Sequence, residues 1–286
     1  MTPVTVTQKT VLIDGVEIHL FDPIDNTSRW IGQEQVYNLL VSAWMKLHKN
    51  DRMMTPVLIG PPGSGKTTLA RAAAKQFDRP IYMMNCTSDV RPEDLLIMPV
   101  ISSKQEIRYQ ASSLVSAMIT GSTCILDEAN RMNEKSWASL APLLDDRRYI
   151  ESITAGVRIH ADPEFRLVAT MNDDYSTFTV PEFIESRLKP VLPVAYPSAD
   201  ELEKILAYNV PHAGVGLTSA IVSYLTEKKE DGSLEDYSIR DAIHIAILAL
   251  KGSKHQKKGK SAEDRVGSVA HYVVKVTRDA SANDWI

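Results

Sequence analysis

The sequence has almost no cysteine, no long apolar run and no marked excess of charge, and each shortage removes a class of protein. Its two cysteines, Cys86 and Cys124, cannot form a disulfide framework and have no metal-ligand spacing. Lying in or beside predicted core strands, they read as buried free thiols, and a cytoplasmic, reducing location follows. No window approaches the roughly 18 apolar residues that a membrane span requires. The nearest, Ile243–Leu250, is short and contains His244. Met1 to Thr10 hold no apolar stretch of the signal-peptide type. With 32 Lys and Arg against 36 Asp and Glu, the formal net charge is −4. That argues against a broad electrostatic grip on nucleic acid, though it is compatible with a local basic patch. The seven histidines fall in no His-x-x-x-His or similar pairing, so no metal beyond Mg²⁺ is expected. What remains is 286 residues, 44% hydrophobic and 24% charged, enough to bury a sizeable core in one large domain or two smaller ones.

Asp14-Gly15 sits between two alternating runs within Thr10–Phe21, a strong hairpin signal, and the hairpin is expected to decorate an edge. A helix follows from about Gln33 to Lys49, with Val36, Leu39, Leu40 and Trp44 at helical spacing; Trp30 and Trp44 read as core or interface aromatics. From Thr55 strands and helices alternate. Strands are predicted at Pro56–Ile59, Pro80–Met84, Thr123–Leu126, Phe165–Thr170 and Pro190–Val194, with helices at Lys66–Phe77, Ser112–Ile119 and Glu134–Leu144. Short apolar strands separated by helices imply a parallel sheet covered on both faces. Val100–Tyr109 and Tyr149–His160 read as hairpins, the second turning at Ala155-Gly156. After Tyr196-Pro197 only helices are predicted, at Ala199–Tyr208, Leu217–Lys228, Ser238–Lys251 and Glu263–Lys275, with Ser198 and Thr218 as N-caps. The expected division is an N-terminal hairpin extension over 1–25, an α/β domain over 26–197 and a small helical domain over 198–286.

Gly60-Pro61-Pro62-Gly63-Ser64-Gly65-Lys66-Thr67, followed by Thr68, fits Gly-x-x-x-x-Gly-Lys-[Ser/Thr] and lies between a buried strand and a helix, where that motif must lie. Its glycines let backbone N–H groups turn around an anion, and the helix adds its positive N-terminal end. Lys66 can reach the β- and γ-phosphates, and the Thr67 hydroxyl can serve Mg²⁺. About 60 residues on, a second apolar strand ends in Asp127-Glu128, at the strand end where ligands of such sheets gather. Asp127 would hold Mg²⁺ through water, and Glu128 would orient and polarise an attacking water. The second acid favours turnover over a pure nucleotide switch. The absence of an Asn-Lys-x-Asp guanine-reading motif favours ATP.

These residues, in this order, resemble the AAA+ superfamily, and within it the MoxR group, particularly its CbbQ/NorQ branch, which also resembles the dynein-related AAA modules. The resemblance runs from about Ile31 to Pro197 and more weakly through the helical tail. It implies a P-loop three-layer parallel sheet with a small C-terminal helical lid. Ile31-Gly32-Gln33 resembles the family's Ile-Gly-Gln box, which lies near the adenine. Cys86–Asp89 with Pro92–Leu96, and Ala141–Arg148, are similar to further stretches of the same branch. The resemblance makes Asn172, ending Ala169-Thr-Met-Asn172, the sensor-1 residue that helps Glu128 fix the lytic water; by itself a strand-end Asn is more often a turn residue. Arg187, in Phe183-Ile-Glu-Ser-Arg187, matches the position of the arginine finger offered to a neighbouring subunit; by itself it is a polar residue before a strand. Arg240, in Ser238-Ile-Arg240, resembles sensor 2, against a surface salt bridge as the alternative. The two hairpins match elements that line or cap a central pore in the family, and also fit plain edge hairpins.

The function so implied is an ATP-hydrolysing, ring-forming remodelling motor, a hexamer in expectation. It would act on a protein client that in this group is often a von Willebrand factor A domain protein. A DNA-associated motor or restriction-type GTPase, and a nucleotide-gated assembly switch with negligible turnover, are the competing readings. The basic run Lys251–Lys260 has no aromatic between its charges and reads as a solvated loop, with contact to nucleic acid or an acidic partner as the alternative. Under every reading Lys66→Ala weakens nucleotide binding. A fluorescent ATP analogue bound by the variant as tightly as by the parent protein would contradict the phosphate-loop assignment itself.

Overall fold

The structure, a computed structural model, describes residues 10–48, 51–101, 105–173, 180–230, 237–255, 261–267, 269–270 and 273. Its contacts divide the chain into two compact units. One comprises Met1–Trp30, Glu34–Gly60 and Lys66–Val194, and the other Ile31–Gln33, Pro61–Gly65 and Ala195–Ile286.

The first unit begins with the predicted hairpin. Asp14 and Gly15 both take positive φ, 49° and 80°, as the tight turn between twisted strands demands. β1 (Thr10–Ile13) thereby returns as β2 (Val16–His19), with Ile13 opposite Val16. The hairpin is no loose decoration, however. β2 pairs in parallel with a strand near residue 109, Ile18 is fully buried in the main core, and the Phe21 N–H donates to Ser116 Oγ at 2.9 Å. Helix α1 (Glu34–Ala43) stops well short of Lys49. The Asp51 carboxylate captures the N–H groups of Leu47 and His48, both at 2.7 Å, a local side-chain bond that competes with continued helix.

The elements that follow are β3 (Val57–Gly60), α2 (Lys66–Ala74), β4 (Ile81–Asn85), β5 (Ile97–Ile101), β6 (Ile107–Ala111), α3 (Ser113–Thr120), β7 (Thr123–Asp127), α4 (Glu134–Leu144), β8 (Tyr149–Ser152), β9 (Val157–His160), β10 (Arg166–Asn172), the one-turn α5 (Glu182–Glu185) and β11 (Val191–Pro193). Five strands form a sheet in the order β11-β3-β10-β7-β4, all parallel. β5 and β6 form the hairpin expected over Val100–Tyr109, displaced toward both flanks; residues 102–104 lie outside the described ones. β8 and β9 form the other, with Gly156 at φ 68° in its turn. β1, β2, β6 and β5 make a four-stranded sheet of their own.

The central strands are buried on both faces, and the alternation of their side chains divides the core. Val57, Cys124, Leu126, Leu167 and Ala169 join one cluster, with α3, α4 and the hairpins supplying Leu114, Met118, Trp137, Leu140 and Ile150. Leu58, Ile125 and Val168 point into the other, built on Leu40, Trp44, Leu69 and Ala73 of the α1 and α2 region. The result is an α/β three-layer unit around a parallel sheet, as the sequence predicts. Trp44 is a core residue, its indole N–H bonded to the Leu167 carbonyl at 3.2 Å.

Every secondary-structure element among the described residues of the second unit is a helix. α6 (Ala199–Asn209) is capped as expected: Ser198 Oγ accepts the Glu201 N–H while Glu201 returns to the Ser198 N–H. α7 (Gly214–Glu230) starts earlier than predicted. Thr218 is therefore a buried residue inside it, its hydroxyl turned back on the carbonyls of Gly214 and Val215 at 3.3 and 2.9 Å. The same chemistry that makes Thr a cap lets it satisfy itself within a helix. α8 (Ile239–His255) follows, and helix recurs at 262–267, 269–270 and 273, beginning one residue before the expected Glu263–Lys275. Leu202, Leu206, Ile221, Leu225, Ile245 and Val266 form this unit's core. Positions 256–260 of the basic run lie outside the described residues. No single helix among the described residues is long and apolar enough to cross a membrane.

Ile18→Ala should destabilise the protein by about 2–5 kcal/mol, the cost of emptying a buried aliphatic site. Urea unfolding measures it, and a change below about 0.5 kcal/mol, typical of a surface position, would mean that the hairpin is peripheral after all.

Candidate functional site

Parallel register brings the strand tips together. Asn172 at the end of β10 stands opposite Gly60 at the end of β3; Ala169 stands opposite Leu126, which puts Thr170 beside Asp127. Asn85, ending β4, stands opposite Asp127. Gly60, Asn172 and Asp127 thus share the carboxyl edge of the sheet, where open α/β sheets gather ligands.

The loop leaving β3 is shaped by its glycines. A Cβ on Gly60 would stand 2.1 Å from the Val194 carbonyl oxygen, so only hydrogen fits. Gly63 takes φ 78°, and a Cβ there would meet the Cβ of Ser238 at 2.3 Å. Ser64 is fully buried and its hydroxyl has no hydrogen-bond partner among the described residues, an orphan that a phosphate oxygen would satisfy. Lys66 opens α2 only 7% exposed, its ammonium bonded to the Gly60 carbonyl at 2.8 Å across the loop. Thr67 lies beside it, and Thr68 is exposed on the same helix. In the loop piece the buried hydroxyl and the left-handed glycines fit a phosphate group, and at the start of α2 the Lys66 ammonium carries the charge that would suit one.

Asp127 Oδ1 accepts two hydroxyl protons, from Thr67 and from Thr170, each at 2.6 Å. This carboxylate and the Thr67 hydroxyl are oxygen donors of the kind Mg²⁺ takes. Glu128 breaks from the strand with φ 56° and ψ 41°. Its N–H donates to the Thr170 hydroxyl at 3.1 Å, and its half-exposed carboxylate pairs with Arg131 Nε at 2.7 Å. The Asn130 amide donates to the Asn172 carbonyl at 2.9 Å, tying the two strand ends. Beneath the acids the Cys86 N–H donates to the Asp127 carbonyl at 2.8 Å. Burial, with the charges of Asp127 and Glu128, pushes the Cys86 thiol up to about 12. Cys86 and Cys124 are both buried free thiols.

The other predicted site residues fall in two places. Arg187 follows α5. Its guanidinium bonds the Phe183 carbonyl and lies 3.7 Å from Asp145, and it makes no ion pair with Asp127 or Glu128. The Arg147 side chain, and with it Arg187, holds the Asp145 carboxyl below its ordinary range. In the helical unit, Ile31-Gly32-Gln33 is bound to the start of α6. The Gln33 N–H donates to Glu201 at 2.7 Å and its amide nitrogen to the Ala195 carbonyl at 2.8 Å. Burial tends to raise the Glu201 carboxyl, but the N–H groups of Ser198 and Gln33 draw it below its usual range. The Pro62 carbonyl accepts the Tyr196 hydroxyl at 3.1 Å, the Gly63 carbonyl accepts the Ile239 N–H at 3.3 Å, and Arg240 stands exposed in the first turn of α8.

Sequence reasoning missed Thr170 and Arg131. Thr170 is two residues before Asn172 on the same strand, and its partner is found only through the β7–β10 register. Arg131 follows Glu128 at i+3, a spacing the sequence displays.

Residues 56–188 match the AAA domain of the dynein-related subfamily. An uncharacterised protein of Staphylococcus saprophyticus is 31% identical over 234 residues, covering 78% of this chain and 86% of the relative. An uncharacterised protein of Staphylococcus aureus is 32% identical over 155 residues, covering 52% and 59%. Among solved structures, Thermotoga maritima RuvB, a Holliday junction branch migration motor, superposes with a TM-score of 0.56 at 21% identity, covering 84% of this chain and 68% of that one. NtrX of Brucella abortus in complex with ATP gives 0.58 at 15% identity, covering 90% and 60%. At these identities the two structures speak for the fold. The domain match and the extended relative lead to one assignment: the chain belongs to the AAA family of P-loop ATPases, residues 56–188 matching the dynein-related AAA domain.

Proposed function

We propose that this ATPase is a motor of the MoxR type, CbbQ/NorQ-like, that assembles into a ring, a hexamer in the simplest case. In this reading it spends ATP on remodelling or activating a partner protein. The observation that carries the hydrolytic part is the Asp127 carboxylate held between Thr67 and Thr170 with Glu128 directly beyond it. A binding switch has no use for the second acid.

The chain's own groups divide the work. The N–H groups of Gly63, Ser64 and Gly65 would hold phosphate oxygens, and so would the Lys66 ammonium. Thr67 and Asp127 would hold Mg²⁺, which when bound neutralises charge developing on the phosphate oxygens. The Glu128 carboxylate, half exposed, would take a proton from the attacking water as the water oxygen bonds the terminal phosphorus and the bond from that phosphorus to the bridging oxygen breaks, its electron pair leaving with ADP; Asn172 would steady the same water. Arg240, on the helix whose N-terminal residues touch Gly63, is assigned to sense the nucleotide. Ile31 and Gly32 are assigned to the base. Arg187 is assigned to the neighbouring subunit's terminal phosphate; within its own chain it pairs with Asp145 at 3.7 Å and not with Asp127 or Glu128.

A von Willebrand factor A domain protein is the client class this reading favours, in the cytoplasm. A DNA motor has the fold likeness to RuvB in its favour, and a net charge of −4 against it.

Glu128→Gln should bind ATP as the parent does and release almost no phosphate, and a variant still turning over normally would remove Glu128 from the chemistry. Arg187→Ala should lose on the order of 10³-fold or more in turnover while ATP affinity holds. Activity per subunit that stays constant on dilution to monomers would refute the shared site.

A further inference from the structure

Thr170 has none of the roles assigned above, yet its hydroxyl is the point to which both acids are tied. It lies in β10, 1% exposed. It donates its proton to Asp127 Oδ1 at 2.6 Å and accepts the Glu128 N–H at 3.1 Å. A hydroxyl carries one proton and two lone pairs, so one atom can serve both acids at once. Neither bond follows from sequence proximity; both follow from the pairing of β10 with β7, which sets Ala169 across from Leu126.

The two bonds act on different degrees of freedom. The first fixes the carboxylate: with Thr67 on the same oxygen, Asp127 is gripped from α2 and from β10, which restrains its rotation. The second fixes the backbone. Glu128 sits at φ 56°, a region that side-chain-bearing residues enter rarely and keep only where their surroundings over-determine it. Thr170 holds its N–H, and the Arg131 N–H holds its carbonyl at 2.9 Å. The direction in which the Glu128 side chain leaves the strand is set by that backbone turn.

We propose that Thr170 is a positioning residue for hydrolysis. It aims Asp127 at the metal position and Glu128 at the water position, without itself touching nucleotide. The inference rests on the reading of Asp127 and Glu128 as the metal-holding and water-orienting acids.

Thr170→Val keeps nearly the same shape and removes both bonds, whereas Thr170→Ser keeps both. For each full-length variant, steady-state phosphate release is measured at saturating ATP. Binding of a fluorescent ATP analogue is measured with Mg²⁺ and again in EDTA. The valine variant should lose about 10–100-fold in turnover, the scale of losses when the partner that orients a metal ligand is removed. Its Mg²⁺-dependent gain in affinity should shrink, while its affinity in EDTA matches the parent. The serine variant should stay within about threefold of the parent, well inside that loss. A valine variant with parental turnover, a serine variant as impaired as the valine, or a parallel loss of binding in EDTA would each overturn the proposal. If the valine variant does not fold, Thr170→Ala replaces it in the same comparison. A parent protein that binds but never hydrolyses ATP would sink the underlying reading instead, so the two failures are told apart.

Discussion

The pairing of β10 between β3 and β7 is the constraint from which the site follows. Hydrogen bonds on both flanks of one strand fix three strand ends at a common edge, with Asn172 level with Gly60 and Thr170 beside Asp127. A slip by one residue would turn every side chain of β10 to the opposite face. Leu167, Ala169 and Met171 would leave their cluster, and Val168 would leave the other. Burial on both faces therefore defends the register, and the register positions the polar residues at the tips. Core packing and chemistry are specified by the same alternation.

At the tips the requirements of folding and of function diverge. A strand prefers to continue or to turn through a glycine, yet the residue after β7 is Glu128 at φ 56°. Such a conformation costs about 1–3 kcal/mol for a residue with a Cβ. Bonds from Thr170 to its N–H and from Arg131 to its carbonyl offset part of this. Gly63 meets a comparable demand without strain, since its φ of 78° needs no Cβ and the approach of Ser238 forbids one.

Legibility in the sequence tracked how local each feature is. The phosphate loop, the Asp-Glu pair and the Ser198 cap are contiguous segments whose chemistry is self-contained, and each could be read directly. The five short apolar strands were visible because a doubly covered parallel strand has no polar face to confuse it. What escaped depends on partners remote in sequence or on a competing local bond. The parallel pairing of β2 with β6 joins residues about 90 positions apart, with no turn signal to announce it. Thr170 reads as one more β-branched strand residue until β7 is laid beside it. Asp51 ends α1 early with a side chain that sequence periodicity ignores. Thr218 could cap a helix or bond back within one, and only the earlier start at Gly214 decides between them.

The contact between Glu128 and Arg131 bears on whether the acid pair, as it stands, can work. Were that pair buried, separating it would leave an uncompensated charge and cost several kcal/mol, and the carboxylate would be locked away from any water. Both side chains are instead nearly half exposed, 45% and 46%. A pair so open is worth about 0–1 kcal/mol, because solvent replaces what the partner supplied. On the role proposed for Glu128 in phosphoryl transfer, where each 1.4 kcal/mol or so of barrier is a tenfold change in rate, such a contact would slow turnover only severalfold. Arg131 therefore parks the Glu128 carboxylate without sequestering it. The restraint that matters lies in the backbone beneath, where a rotation would displace the carboxylate itself and no solvent molecule could substitute for the lost geometry.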